Sequence, residues 1–118
     1  MNRIPLDYDA SWLVQASLDT ISVSRYSVIL DFDSGTGTLT IECDTRVING
    51  DRVRSYSYPR DAAVELLPLL LQTVANATVE SATELAIDFS DGTRLMVVDS
   101  SDHYESFTLS RGDDLLVV

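Results

Sequence analysis

The chain has 118 residues, of which 45% are hydrophobic and 23% are charged, so it has the length of one domain and is too apolar for a disordered chain. Its net charge is −11, from 19 acidic residues against 8 arginines and no lysine. This charge argues against binding to nucleic acids or anionic membranes, which need clustered cations, and it is compatible with a basic protein partner.

The cysteine content and the apolar runs point to one compartment. The single cysteine, Cys43, cannot form an internal disulfide and favours a reducing environment. Residues 1–10 carry Asp7 and Asp9 and lack the apolar run of a signal peptide. The longest apolar run, residues 66–71, is too short to cross a bilayer. We therefore expect a cytoplasmic protein that does not bind membranes.

The first half of the chain reads as β-hairpins that follow a loose N-terminus. Residues 1–10 have no periodic pattern, and we expect a flexible arm there. Val28, Leu30 and Phe32 alternate with more polar residues, as on a strand with one buried face. The turn at residues 33–37 then leads into a further strand with the same alternation.

The clearest local signal is the dipeptide Asn49-Gly50, which predicts a two-residue type I′ turn. A hairpin around this turn pairs residues whose numbers sum to 99. This register places Arg52 and Arg54 at the hairpin tip and directs Tyr56 and Tyr58 into the core.

The second half opens with a predicted helix. Pro59 suits a first helical position, and apolar residues recur at helical spacing as far as Val74. Pro68 must kink this helix or restart it, because proline has no amide hydrogen to donate. Further strands are predicted at residues 84–90, 94–99, 104–109 and 115–118.

The chain also repeats itself at a gapless shift of 57 residues. The identical pairs are Leu13 and Leu70, Gln15 and Gln72, Ser24 and Ser81, Asp31 and Asp88, Phe32 and Phe89, and Gly35 and Gly92. We therefore predict a single domain, residues 1–118, with repeat units at about 12–58 and 69–118. The fold class expected is α+β, with antiparallel β-hairpins in an internally duplicated sheet that packs against one main helix.

The second repeat carries a family resemblance. Leu85 to Val97 reads Leu-x-x-Asp-Phe-Ser-Asp-Gly-x-x-Leu-x-Val, and Tyr104-Glu105-Ser106-Phe107 follows. This pattern resembles a family of small bacterial proteins of unknown function, with Phe107 at a position where the family more often has tryptophan. The resemblance implies the repeat and the fold, and it implies no activity.

The strongest candidate for a binding surface is the predicted hairpin tip. Arg52, Arg54 and Tyr56 share one strand face, and Arg46 lies nearby on the other face. Arginines beside tyrosines can hold an anion or the carboxylates of a partner. The alternative, which we favour on sequence alone, is a solvated tip whose arginines pair with Asp44 and Asp51.

Two other patterns are weaker. Asp31, Asp33 and Glu42 imitate positions 1, 3 and 12 of a calcium loop, but Thr36 stands where that loop needs glycine. We interpret them as solvated carboxylates near a hairpin turn, and we predict no metal and no cofactor. His103 beside Asp102 could act as a base, but no nucleophile motif accompanies it and Cys43 reads as a core residue.

These observations favour a binding protein over an enzyme. The first hypothesis is a small cytoplasmic interaction domain that captures a basic protein, in the manner of a protein that neutralises a toxin. The alternative is a small-ligand site between the helix and the sheet, and an enzyme ranks last because no catalytic residues can be named. We also expect a homodimer contact at Ile29 and at residues 115–118.

Overall fold

The computed structural model describes residues 3–100 and 105–118, which fold into two antiparallel sheets of five strands each. The first sheet contains, in spatial order, β1 (Leu18–Val23), β2 (Val28–Phe32), β3 (Gly37–Ile41), β9 (Phe107–Arg111) and β10 (Asp114–Val117). The second contains β5 (Arg52–Tyr56), β4 (Asp44–Asn49), β8 (Arg94–Val98), β7 (Glu84–Phe89) and β6 (Val74–Ser81).

The core lies between the two sheets. Alternate residues of β2 and β3 are buried, as the sequence pattern predicts, and their neighbours on the other face are partly exposed. The buried faces of both sheets contribute to one hydrophobic cluster. Phe32, Phe89 and Phe107 are the largest side chains that are almost completely buried in it. Side chains of the two sheets therefore take the place of a helix in filling the core.

The prediction of an α+β fold with one main helix is wrong. Among the described residues, the only α-helix is α1 (Ala63–Leu66), which lies between 3₁₀ turns at Pro59–Ala62 and Leu67–Leu69. Pro68 stops the helix after one turn, because it cannot donate the next backbone hydrogen bond. Val74 fits the helical spacing of the sequence, but in the structure it begins strand β6.

The two halves of the chain are related by a pseudo-two-fold arrangement. Strands β1, β2 and β3 form a meander in the first sheet, and β6, β7 and β8 form a corresponding meander in the second. The hairpin β4–β5 pairs with β8, whereas the hairpin β9–β10 pairs with β3. Each half therefore completes the sheet of the other half with its own hairpin.

Reciprocal backbone hydrogen bonds join the halves where residues 15–18 cross residues 71–74. The Gln15 amide donates to the Val74 carbonyl at 2.7 Å, and the Leu71 amide donates to the Leu18 carbonyl at 2.7 Å. A bridge between Ser17 and Thr73 lies at the centre of the crossing. The edges of the two sheets are thus connected through the main chain.

The crossing shows that the gapless shift of 57 residues is wrong before strand β2. Leu13 corresponds to Leu69, and Gln15 corresponds to Leu71, which are shifts of 56 residues. Both Leu13 and Leu69 are buried, whereas Leu70 is partly exposed. One extra residue at the register shift between Val79 and Ser81 restores the shift of 57 at Phe32 and Phe89, so the sequence comparison is correct there.

Residues 3–10, for which the sequence predicts a flexible arm, begin against the end of the second sheet. The side chain of Ile4 is buried, and its amide donates to the Ala82 carbonyl at 2.8 Å. The Arg3 guanidinium donates to Asp99 Oδ2 at 2.6 Å, and the Ser106 hydroxyl donates to Asp99 Oδ1. A buried carboxylate therefore links this segment to the strand connection that precedes β9.

The hairpin register also differs from the predicted one. Asn49 pairs with Arg52, so Gly50 and Asp51 are the central residues of the turn, and paired residue numbers sum to 101. Gly50 has φ +62° and is the first central residue, as a type II′ turn requires. Gly112, followed by Asp113, has φ +58° and occupies the same position between β9 and β10.

Phe32 and Phe89 provide a test of this arrangement, because they occupy corresponding positions on β2 and β7 and are both buried, as predicted. Replacing either with alanine should lower the free energy of unfolding by about 3–5 kcal/mol, since each change leaves a cavity in the shared core. Urea denaturation would measure both losses. A loss below about 1 kcal/mol for one variant would contradict a common core, because that is the effect of a surface substitution.

Candidate functional site

Three of the four predicted binding residues converge on one carboxylate. Arg52 and Arg54 share the inner face of the edge strand β5, and Glu65 reaches them from α1. Arg52 Nη2 lies 3.2 Å and Arg54 Nε lies 3.9 Å from Glu65 Oε1. The Tyr56 hydroxyl donates to Glu65 Oε2, and this hydrogen bond raises the pKa of Tyr56. The arginines therefore pair with Glu65 rather than with Asp44 or Asp51.

Arg46, the fourth predicted residue, lies on the opposite face of the second sheet. Its Nη1 atom is 3.3 Å from Glu84 Oε2. On the same face, Arg94 Nε is 2.7 Å from Asp88 Oδ1, and these pairs lie beside the buried side chain of Met96. The structure thus separates Arg46 from the other three residues and places it in a network of ion pairs on the outer face.

Arg52 and Arg54 border a cleft of about 330 Å³, which we call the arginine cleft. It lies between the hairpin β4–β5 and the helical segment at residues 59–69. Besides Arg52, Arg54 and Glu65, its lining includes Val64, Pro68 and Thr93. One wall therefore carries guanidinium groups, and the opposite wall is largely apolar.

A second cleft of about 220 Å³ lies beside the hairpin β9–β10, and we call it the tryptophan cleft. It is lined by Tyr8, Asp9, Trp12, Arg111, Asp114 and Leu116, among others. The Arg111 guanidinium carbon lies 5.0 Å from the centre of the Trp12 ring, and Trp12 Nε1 donates to the Tyr8 hydroxyl at 3.2 Å. Arg111 and Tyr8 thus hold the indole in place.

The two clefts occupy corresponding places in the two halves. Asn49 and Arg52 end the ladder of one hairpin, and Arg111 and Asp114 end that of the other. By the same correspondence, Leu116 takes the place of Arg54. The tryptophan cleft therefore has an acidic and an apolar residue where the arginine cleft has two cations.

The largest of the three clefts, about 790 Å³, lies at the end of the sheets where β3 crosses to β4. We call it the tyrosine cleft, and its lining includes Tyr26, Glu42, Cys43, Tyr58, Glu105 and Ser106. Tyr26 is 62% exposed and Tyr58 is 53% exposed. The sequence-based placement of Tyr58 in the core is wrong, because β5 ends at Tyr56 and the chain then turns towards Pro59.

Arginines stack on both tyrosines of this cleft. The Arg25 guanidinium carbon lies 5.2 Å from the centre of the Tyr26 ring, and that of Arg60 lies 5.2 Å from the centre of the Tyr58 ring. Arg60 Nη1 also donates to the Arg25 carbonyl at 3.0 Å. This contact links the turn between β1 and β2 to the segment after β5, so the two aromatic walls are held relative to each other.

Two carboxylates of the tyrosine cleft are exposed. In the part of the chain that the structure describes, the side chains of Glu42 and Glu105 have no hydrogen-bond or ion-pair partner. Glu65 differs from them, since its carboxylate contacts two guanidiniums and a hydroxyl. The tyrosine cleft can therefore offer negative charge to a ligand without first breaking an internal ion pair.

Cys43 lies in the floor of the tyrosine cleft as a buried thiol. Burial raises its pKa to about 12, against a usual value of 9.0. Since the thiolate is the reactive form, Cys43 is not poised as a nucleophile at neutral pH. His103, considered above as a base, lies outside the described residues.

The residues of the calcium-loop pattern are not brought together. The carboxylate of Asp31 accepts a hydrogen bond from the Thr38 hydroxyl at 2.9 Å, and that of Asp33 accepts one from the Ser17 amide at 2.8 Å. Glu42 lies apart from both, in the tyrosine cleft. Residues 3–100 and 105–118 contain no cluster of three side chains that could hold a metal ion.

Sequence reasoning did not identify Tyr26, Tyr58, Glu65 or Glu105 as site residues. Tyr26 follows Arg25 in a hairpin turn, and an exposed aromatic beside a cation was the available signal for it. Glu65 carried no such signal, because its contact with Arg52 depends on how the helical segment packs against the hairpin.

The buried thiol gives a pH-dependent prediction. The folded protein binds the Cys43 proton more tightly than the unfolded chain does, so this contribution to stability is present below about pH 9 and is lost as pH rises towards 12. In the Cys43→Ala variant, the free energy of unfolding should fall less steeply with pH in this range. Urea titrations at a series of pH values would measure the slope, with Ser57→Ala as a control. An unchanged slope in Cys43→Ala would show that the thiol is not held protonated.

Comparison with other proteins identifies the family without an activity. A model of a family of unknown function, DUF6188, matches residues 9–118 and confirms the resemblance to a small domain family of this kind. No match is found among curated proteins or among solved structures. Within the described residues, no helix is long and apolar enough to cross a membrane. The chain therefore belongs to DUF6188, a family of unknown function.

Proposed function

We propose that this protein is a cytoplasmic interaction domain that binds a basic segment of another protein in the tyrosine cleft. The observation that carries this proposal is the pairing of two exposed tyrosines with two carboxylates that have no partner among the described residues. Tyrosines are enriched at the energetic centres of protein interfaces, and free carboxylates attract lysine and arginine side chains.

The geometry of the tyrosine cleft favours binding because its aromatic walls are ordered in advance. Arg25 and Arg60 stack on the rings of Tyr26 and Tyr58, and Arg60 ties the two walls together. Side chains that are already fixed lose less conformational entropy when a partner binds. Arginine stacked on tyrosine also adds donors at the rim, where a partner's backbone carbonyls can accept hydrogen bonds.

The charge of the whole chain supports a basic partner. A net charge of −11 on 118 residues produces a long-range field that speeds the encounter with a positively charged protein. Neutralisation of a basic toxic enzyme is one specific form of this function. The single cysteine supports the cytoplasmic location, since no disulfide can form within the chain.

The proposal includes a homodimer contact at the outer face and edge of the first sheet. Ile29 is partly exposed there, and Leu115 on the edge strand β10 is 64% exposed. The end of the predicted segment is not available, because Val118 is buried and its amide donates to the Phe107 carbonyl at 2.9 Å. Ile29 and Leu115 are therefore the residues to test by sedimentation.

The binding proposal can be tested by capture from native lysate with two pairs of substitutions in the cleft. Tyr26→Ser with Tyr58→Ser removes both aromatic anchors, and Glu42→Gln with Glu105→Gln removes both charges. We expect the wild-type protein to retain a partner with a basic isoelectric point, and each double variant to lose most of it. Titration of the purified partner would then show an affinity loss of at least about tenfold for each pair.

Matched controls on other surfaces separate the cleft from general surface effects. Leu6→Ser with Val53→Ser removes exposed apolar groups from the N-terminal segment and from the edge strand β5. Asp51→Asn with Asp113→Asn removes the same charge from the two hairpin turns. Both control variants should bind as the wild type does. Retention of the same partner by both cleft variants, or loss of it with the controls alone, would rule out the tyrosine cleft as the binding site.

A further inference from the structure

We propose that the arginine cleft is a second binding site, which takes a small carboxylate ligand with an apolar body. This site is separate from the proposed protein-binding surface, and none of its lining residues borders the tyrosine cleft. A volume of about 330 Å³ is at the lower end of the range for small-molecule pockets. The cleft combines an apolar wall with a few polar groups, as such pockets commonly do.

In the arginine cleft, two cationic side chains pair with a single carboxylate. Among the described residues, Glu65 is the acidic partner of both Arg52 and Arg54. The side chains of Arg52 and Arg54 remain 58% and 52% exposed, whereas that of Glu65 is 14% exposed. Each guanidinium has five N–H donors, so both retain donors for a second carboxylate. Asp91, the other carboxylate of the lining, accepts the Thr93 amide instead of pairing with an arginine, so a ligand carboxylate would take the donors that Glu65 leaves free.

The contacts of Glu65 show that this pair of arginines can bind a carboxylate. Its Oε1 atom accepts a hydrogen bond from Arg52 Nη2 and forms an ion pair with Arg54 Nε, and its Oε2 atom accepts a hydrogen bond from the Tyr56 hydroxyl. These contacts hold the arginines on the inner side of β5 at the border of the cleft, where more than half of each side chain stays exposed. A ligand would therefore meet donors that are already placed, which reduces the entropic cost of binding.

The opposite wall can receive the apolar body of the ligand. Val64 is 76% exposed, and it lines the cleft together with Pro68 and the buried Leu69. At the base, Asn49 Nδ2 donates to Thr93 Oγ1 at 3.4 Å, and Asp91 Oδ1 accepts the Thr93 amide at 2.9 Å. The Asp91 carboxylate thus already accepts a hydrogen bond within its own turn. Burial of Val64 by a ligand would remove apolar surface from water, which favours binding.

The tryptophan cleft shows which residues the corresponding hairpin positions carry in the other half of the chain. The same hairpin position carries Asp114 in place of Arg52 and Leu116 in place of Arg54. In that half Trp12 contacts Gly37, where a side-chain Cβ would come within 2.7 Å of the ring. The fold therefore forms without an arginine pair at this place. The arginine pair is thus a feature of this half and not of the common architecture, which supports a role in recognition.

The test uses benzoate as the carboxylate probe and benzamide as its uncharged counterpart, each titrated into the full chain and followed by amide NMR shifts. We expect saturable shifts around Arg52, Arg54 and Thr93 with benzoate, and binding at least about tenfold weaker with benzamide. Inorganic phosphate serves as a second anion without an apolar body, and it should also bind more weakly than benzoate. Equal responses to benzoate and benzamide would overturn the proposal.

Three variants assign the binding to the cleft. Arg52→Met with Arg54→Met keeps an unbranched apolar stem, removes the guanidinium groups and should weaken benzoate binding by about tenfold or more. Glu65→Gln keeps a carbonyl oxygen that accepts hydrogen bonds from the arginines but removes the competing negative charge, so it should strengthen benzoate binding. Arg46→Met changes a cation on the outer face and should leave it unchanged. If neither the wild type nor Glu65→Gln shows saturable shifts, or if the arginine variant binds like the wild type, the site does not exist.

Discussion

The crossing of residues 15–18 with residues 71–74 determines the rest of this structure. There the main chain of each half donates hydrogen bonds to the other, and Ser17 pairs with Thr73. Gln15 and Leu71 have φ values of +74° and +71°, a left-handed conformation that is unfavourable for residues other than glycine. Their amides make the two shortest bonds of the crossing, so each local cost is offset by a contact between the halves.

Because the halves are joined in this way, each hairpin completes the opposite sheet. The exchange places α1 beside β5 and the segment around Trp12 beside β10, which creates two related clefts. The two clefts differ in their side chains although both halves contribute to the same core. One carries Arg52 and Arg54 opposite Glu65, and the other carries an indole that contacts Gly37. The tyrosine cleft has a different origin, since it forms where the chain crosses from one sheet to the other.

The sequence predicts the local elements better than their assembly. Strict alternation at Val28, Leu30 and Phe32 and the glycine turns give most strands, because strand faces and turns depend on nearby residues. The helix was overestimated because Ala62 and Leu66 have helical spacing within a short helical segment, whereas Leu70 and Val74, which fit the same spacing, lie beyond Pro68 and outside it. The contact of Glu65 with the hairpin could not be predicted, because it depends on the exchange of hairpins between the sheets and leaves no local pattern.

Cross-strand nuclear Overhauser effects in the full chain would detect the exchange of hairpins. If each hairpin completes the opposite sheet, backbone contacts join β3 with β9, such as Leu39 with Leu109, and β4 with β8, such as Thr45 with Val97. No ladder of contacts is then expected between β3 and β4, although they are neighbours in sequence. Contacts that pair β3 with β4 in one continuous sheet, with none between β3 and β9, would show that the hairpins are not exchanged.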